Sequence, residues 1–232
     1  MSSTAATSLL HLLQLASPSL PIGAYSYSQG LESAMASGQV HDPASARRWL
    51  ITTLHAVVAR FEAPLLWRLL QAWSQADAAA ITHWTEIALA GRDTAEFRAE
   101  TVQMGYSLTR LVTELGIAPP ALLAILAILQ AQGDVPLPTA LAFAAVALEV
   151  PPEMALLGML FSWAENQVLV CVKSVPLGQV AGQRLLLSLR PELEAAALAV
   201  QALDDDDLCN WAPGLSLLSM QHETQYSRLY RS

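Results

Sequence analysis

DPASARRWLITTLHAVVARFEAPLLWRLLQAW (residues 42–73) decides the fold class. Asp42 followed by Pro43 marks a helix start: an acid that can accept from exposed backbone N–H groups, then a proline at the position where a missing N–H costs nothing. Leu50, Leu54, Val57, Val58 and Phe61 then recur every three or four residues, and Leu65, Leu66, Leu69 and Trp73 continue the stripe. That spacing puts the apolar side chains on one face of a helix. Pro64 falls within the pattern and is expected to kink or break it.

The same signals extend in both directions. Residues 9–16 form a short apolar segment, enough for one or two helical turns, and residues 31–37 read as a helix stopped by Gly38. Asp77 opens a helix ending near Gly91. Asp93 with Glu96 resembles a capping box for a helix whose apolar face runs through Phe97, Met104, Leu108, Leu111 and Leu115 to Gly116. Pro119 and Pro120 begin a helix over 121–130, ended by Gly133, and further helices are expected at 137–149, 152–173, 178–189 and 191–203. Sustained period-two alternation is absent, and so is any repeat period. The expected architecture is all-α: one domain over residues 1–232, a compact bundle of about eight to ten helices without significant β-sheet.

Composition narrows the function. The chain has 232 residues, is 53% hydrophobic and only 14% charged, and has a formal net charge of −8. Its basic residues never cluster beyond Arg47–Arg48, so the electrostatic footprint of nucleic-acid binding is missing. Cys171 and Cys209 give no disulfide framework. The N-terminus lacks the charged region and cleavage site of a signal peptide, and a cytoplasmic location is expected. Prolines 136, 138, 151 and 152 and acids 149, 153 and 165 interrupt the oily 116–172 region, which argues against a spanning helix of about 20 apolar residues.

Catalytic and metal signatures do not assemble. His11, His41, His55, His83 and His222 never pair at i, i+4; His222-Glu223 starts like a zinc-protease motif, but Tyr226 stands where the second histidine belongs. Ser28-Gln29-Gly30 has the end of a nucleophile elbow, but position 26 is serine and no strand precedes it. Gly178–Gly182 is not followed by Lys-Ser/Thr, so the chain has no phosphate-binding loop of its own. Asp204–Asp207 reads as a solvated acidic loop. No catalytic residue, metal ligand or tightly bound cofactor is expected.

Three polar clusters stand out in this oily chain. SPSLPIGAYSYSQGLE (17–32) is poor helix and poor strand, and its hydroxyls fit a catalytic site, a docking surface or turn chemistry. VKSVPLGQ (172–179) carries Lys173, the only lysine among the 12 Lys and Arg residues. HETQYSRLYRS (222–232) spaces Tyr226, Leu229 and Tyr230 at i, i+3, i+4 beside Arg228 and Arg231. Tyrosine and arginine are enriched at binding hot spots. These residues point to an interaction protein.

In the same places the chain resembles the UreF family of urease accessory proteins. The segments that carry the resemblance are LLQLASPSLPIGAYSYSQGLE (12–32), RAETVQMGYS (98–107), CVKSVPLGQ (171–179) and MQHETQYSRLYRS (220–232). They run through the chain in the family's order; Tyr25 and Tyr230 stand where phenylalanine would also fit. The resemblance implies an all-helical protein that is not an enzyme, dimerises, and binds a second accessory protein (UreD, also called UreH). That pair would recruit the nickel-carrying GTPase UreG, which holds the GTP, and load nickel into apo-urease, with nickel handled only transiently.

The resemblance further implies that Lys173, with neighbours Pro176 and Gln179, faces the GTPase, and that Tyr25, Ser26, Ser28 and Gln29 support docking. It also implies that the 220–232 tail, through His222, Glu223, Gln225, Tyr226, Arg228, Tyr230 and Arg231, meets the second accessory protein. Two other readings compete: an all-α serine hydrolase using Ser26 or Ser28 with His222, and a carrier of apolar ligands built on the oily 121–172 helices.

Overall fold

The computed structural model describes residues 3–175 and 177–232; Pro176, expected at the docking surface, lies outside the described residues. Among the described residues there are eleven α-helices and no strand. In chain order they are α1 (Ser3–Leu15), α2 (Leu31–Ala36), α3 (Pro43–Ala56), α4 (Glu62–Ser74), α5 (Ala78–Ala90) and α6 (Ala95–Glu114). They continue with α7 (Pro120–Gln132), α8 (Leu137–Ala147), α9 (Pro152–Ser174), α10 (Gln179–Ala202) and α11 (Pro213–Glu223). The all-α class read from the sequence is the one observed.

The chain starts its helices where the local chemistry says it should. Asp42 accepts from Ser45 N–H at 2.7 Å while Ser45 Oγ accepts from Asp42 N–H at 3.0 Å, a reciprocal cap with Pro43 in the first turn. Asp77 Oδ1 accepts from the N–H groups of Ala79 and Ala80, each at 3.1 Å.

Several boundaries differ from the sequence reading. The break in the 42–73 stripe falls at a 3-10 turn over Val58–Arg60, before Pro64, which sits in the first turn of α4 where its absent N–H is harmless. The cap of α6 is Thr94, whose hydroxyl accepts from Phe97 N–H at 3.2 Å; Asp93 instead takes a hydrogen bond from Ser216. α10 continues through Pro191, because Pro191 and the Leu187 carbonyl it leaves unpaired lie on the exposed face, where water can replace the lost bond. α1 is longer than the one or two turns expected, and α11 replaces what the sequence presented as the start of a tail.

Two large apolar clusters make most of the core, with a small third around Phe61, Leu65 and Ala88. One joins α2, α3, α9 and α10 through Leu31, Leu50, Leu54, Leu160, Val168 and Leu189. The other joins α4 to α8 through Leu66, Leu69, Trp73, Leu108, Leu126 and Phe143, with Trp73 and Phe143 rings 5.2 Å apart. α4 and α9 contribute to both clusters, so these two helices form the spine against which the rest is layered. α9 is long and apolar enough to cross a membrane by length and composition alone, but 56% of its apolar window is buried inside this fold. A helix apolar on nearly every side is accounted for by that central position.

The close packing leaves no room at Gly105. A Cβ there would lie 2.0 Å from the Val135 carbonyl oxygen, so the glycine is what lets α6 meet the backbone entering α8.

Candidate functional site

The 17–32 loop folds over the middle of α9. Gly23 and Gly30 have φ of +81° and +79°, and Gln29, between Ser28 and Gly30, is itself left-handed at +56°. That backbone is open to glycine and uncommon for glutamine, so contacts must hold it. They do. Gln29 Nε2 donates to Glu100 at 2.6 Å and Gln29 Oε1 accepts from Trp163 Nε1 at 2.9 Å. Asn166 Nδ2 donates to the Tyr27 carbonyl at 3.0 Å, Gln167 Nε2 to the Ser28 carbonyl at 3.3 Å, and Tyr25 donates its hydroxyl to Glu165 at 3.4 Å. The polar turn of α9 at 165–167 is thus the seat of the loop.

The C-terminal segment lies along the same loop. Arg231 N–H donates to the Ser26 carbonyl and Ser28 N–H to the Ser232 carbonyl, both at 2.7 Å, and Ser28 Oγ donates to that second carbonyl as well. Ser232 Oγ donates to Glu100 at 2.9 Å. Lower down, Glu32 accepts from the backbone N–H groups of Leu229 at 2.8 Å and Tyr230 at 3.0 Å. Lys173 Nζ sits 5.9 Å from the centre of the Tyr230 ring, a cation–π contact that ties the third polar cluster to the other two.

The three clusters, far apart in sequence, therefore occupy one surface. Lys173, Glu223, Arg228 and Arg231 are exposed on it; Gln179 and Tyr226 are exposed too, Tyr226 completely, and Tyr25, Ser26, Gln29 and Gln225 are half-buried. Ser28, His222 and Tyr230 are buried, as is Tyr27. Those side chains face inward and can shape the surface only through what they hold. Glu32, Glu96, Glu100, Trp163 and Asn166 organise the site without having been anticipated. Of these only Asn166 carried a signal, as part of the polar turn 165–167 in an otherwise apolar helix.

Burial sets the electrostatics. The Glu100 carboxyl is pushed up to about 7, chiefly by its burial, against the opposing pull of the Gln29 hydrogen bond. The Tyr25 phenol is pushed up to about 12 by burial and then by the Glu165 carboxylate. Burial likewise pushes the Cys171 thiol up to about 12, which leaves it an inert core residue.

The geometry disposes of the hydrolase. His222 has Glu96 Oε2 3.0 Å from Nδ1 and Glu32 Oε2 3.1 Å from Nε2, so neither ring nitrogen is free to serve a serine. Ser28 spends its hydroxyl on the Ser232 carbonyl. The apolar carrier fares no better. The cavity lined by Leu12, Leu15, Ile22, Leu141 and Met159 holds about 120 Å³, against roughly 300–1,000 Å³ for drug-sized ligand pockets. Among the described residues no group of three or more His, Cys, Asp or Glu could hold a metal ion. The acidic run is a 3-10 turn at Asp205–Asp207, in which Asp205 pairs with Arg68 Nε at 2.5 Å.

Fold and site together define an all-helical protein in which three polar segments meet on one face. The UreF family model matches residues 40–190. The chain is 71% identical to the urease accessory protein UreF of Janthinobacterium sp. (strain Marseille), covering 98% of this chain and 99% of that one. It is 62% identical to that of Nitrosospira multiformis, over 97% of each, and 50% identical to that of Azoarcus sp., over 97% of this chain and 95% of that one. The chain belongs to the UreF family. The relatives it matches are urease accessory proteins.

Proposed function

We propose that this chain is the docking subunit of a cytoplasmic complex that inserts nickel into apo-urease. In this reading a second accessory protein of UreD/UreH type binds the tail and the adjoining loop. Paired copies of the resulting heterodimer recruit a UreG-type GTPase, which brings nickel and binds the GTP. Nickel is cargo here and not a resident cofactor, and Lys173 with Gln179 meets the GTPase.

The observation that carries the reading is the convergence of Tyr25–Gln29, Lys173 and 225–232 on one face, laced by backbone hydrogen bonds and by the Lys173–Tyr230 contact. An exposed cation over an aromatic ring, with Tyr226, Arg228 and Arg231 exposed nearby, has the composition of a binding hot spot. Replacing Lys173 by Ala removes an exposed side chain and should leave the fold intact. Nickel-dependent urease activation in cells that carry all the accessory proteins should drop about tenfold, the loss expected of a hot-spot residue. Full activation by the variant would take Lys173 out of the docking surface. A GTPase that still co-purifies but no longer activates would move its role from recruitment to a later step.

A further inference from the structure

The C-terminal half of α4, the start of α5 and the end of α10 enclose a groove of about 380 Å³, inside the roughly 300–1,000 Å³ of ligand sites. It shares no residue with the 17–32 loop, with Lys173 or with the 222–232 segment. Trp67 and Trp84 wall it, and Gln71, Gln75 and Gln201 stand along it. Arg68 fixes its shape. Its side chain is nine-tenths buried and donates to Asp205 at 2.5 Å, to the Leu203 carbonyl at 2.7 Å and to the Pro64 carbonyl at 3.2 Å. The guanidinium also lies 5.4 Å from the centre of the Trp84 ring. One buried cation thus ties the end of α10 to α4 and sets the Trp84 ring, so the groove is formed before anything enters it.

The groove offers hydrogen bonds that nothing in the fold uses. Among the described residues, none bonds the indole N–H of Trp67 or Trp84, or the side-chain amides of Gln71, Gln75 and Gln201. Arg68, the one cation among its described lining residues, is fully committed. Asp77 and Asp205 are exposed beside it, and each uses only Oδ1, Asp77 for the Ala79 and Ala80 amides and Asp205 for Arg68. Two carboxylate oxygens are left open. Aromatic walls with unbonded donors beside them fit an extended chain whose carbonyls are bare. A helix satisfies its own backbone, and an added strand needs a sheet edge, which the described residues lack. A polyproline II segment leaves its carbonyls free and lays its rings on aromatic faces. We propose that this groove binds a proline-rich, extended segment of a partner protein, with an arginine or lysine of that segment at Asp77 or Asp205. α10 begins at Gln179, six residues after Lys173, and Gln201 stands about 33 Å further along its axis. A segment in the groove and a partner at Lys173 are therefore separate engagements.

The test uses the full chain, isotope-labelled for NMR, and the synthetic peptide acetyl-Arg-Pro-Pro-Ala-Pro-Pro-Ala-Pro-amide. Titration should shift the indole N–H resonances of Trp67 and Trp84 and leave those of Trp73 and Trp211 in place. Trp84→Ala should weaken the peptide about tenfold, as loss of an aromatic anchor does. A peptide with glycine for every proline should bind about tenfold more weakly, because its backbone is no longer preset. Glutamate in place of its arginine should weaken it about threefold, the effect of an exposed charge pair. Should Trp84→Ala fail to fold, Gln71→Ala combined with Gln201→Ala removes two unbonded amides from the walls and should also weaken the peptide about tenfold. No indole shift at millimolar peptide overturns the proposal. So does equal affinity for the glycine peptide, which removes the polyproline occupant. A shift of the same two indoles by maltohexaose and not by the peptide overturns it as well, and makes the groove a sugar site.

Discussion

Glu100→Gln should make this protein more stable at alkaline pH, and the gain should vanish in acid. Glu100 is buried on α6 between Gln29 and Ser232, and its carboxyl lies at about 7 where an ordinary glutamate has 4.5. The folded state therefore keeps a proton that the unfolded chain gives up more readily. Its stabilising contribution is complete below pH 4.5, falls as pH rises from there to about 7, and is flat beyond. Over the whole window the loss comes to about 3 kcal/mol. Glutamine is neutral throughout and nearly the same shape. It keeps a carbonyl for one neighbour, and its NH₂ can donate to a reversed Ser232 hydroxyl, so the exchange of hydrogen bonds should cost no more than about 1 kcal/mol.

Urea unfolding of parent and variant, followed by far-UV circular dichroism near pH 4.5 and near pH 8, isolates this group, since the histidines and other acids titrate in both proteins and cancel in the difference. The variant should match the parent at the lower pH and exceed it by about 2–3 kcal/mol at the higher, with the same denaturant slope because the same surface unfolds. A difference that does not widen with pH would refute the account of Glu100 as a buried acid strained by ionisation. So would a variant weaker than the parent at pH 8.

Two other substitutions probe the frame. Gly105→Ala drives a methyl group against the Val135 carbonyl, which lies 2.0 Å from the Cβ position and belongs to backbone that cannot swing away. Calorimetry should show a loss of about 2–3 kcal/mol, a fall in Tm of roughly 6 °C, with secondary structure retained. Asp42→Ala removes the reciprocal cap of α3 and should lower the urea midpoint by the equivalent of about 1–2 kcal/mol; an unchanged midpoint would show that α3 is held by packing alone.

The fold was legible in the sequence because its helices announce themselves locally. Caps at Asp42 and Asp77, prolines at 119, 120, 151 and 152, and apolar spacing from Leu50 to Trp73 are all short-range signals, and each marks an observed helix or its boundary. Misreadings arose where local chemistry was overruled from a distance. Asp93 looked like a cap until Ser216 on α11 claimed it, and Pro191 looked like a break until its exposed position made the lost bond cheap. α11 was hidden because Leu215 and Leu218 make a weak stripe and the polar run after Met220 drew the eye as a tail. On the face where the three polar segments meet, only residues unusual by type stood out in the sequence. Tyr25, Lys173 and Tyr226 are conspicuous by type, whereas Glu32, Glu96 and Glu100 resemble any helical glutamate until the fold buries them.

That division between conspicuous and hidden residues has a physical basis. A face made of loop and chain end cannot hold its shape by apolar burial, because its backbone stays near the surface and its N–H and C=O groups need partners there. This chain meets that need from below. Glu32 takes two of those amides, Glu96 and Glu100 take Arg228 and Ser232, and Glu165 with Asn166 and Gln167 takes the loop. These groups anchor segments that otherwise have little to hold them. Truncating Lys173 or Tyr226 should therefore disturb recognition and leave exchange protection in the tail untouched. Truncating Glu32 or Ser28 should disturb the tail first and recognition as a consequence. The two groups of residues lie within a few ångströms of the same surface, yet they belong to different links of the chain from sequence to function.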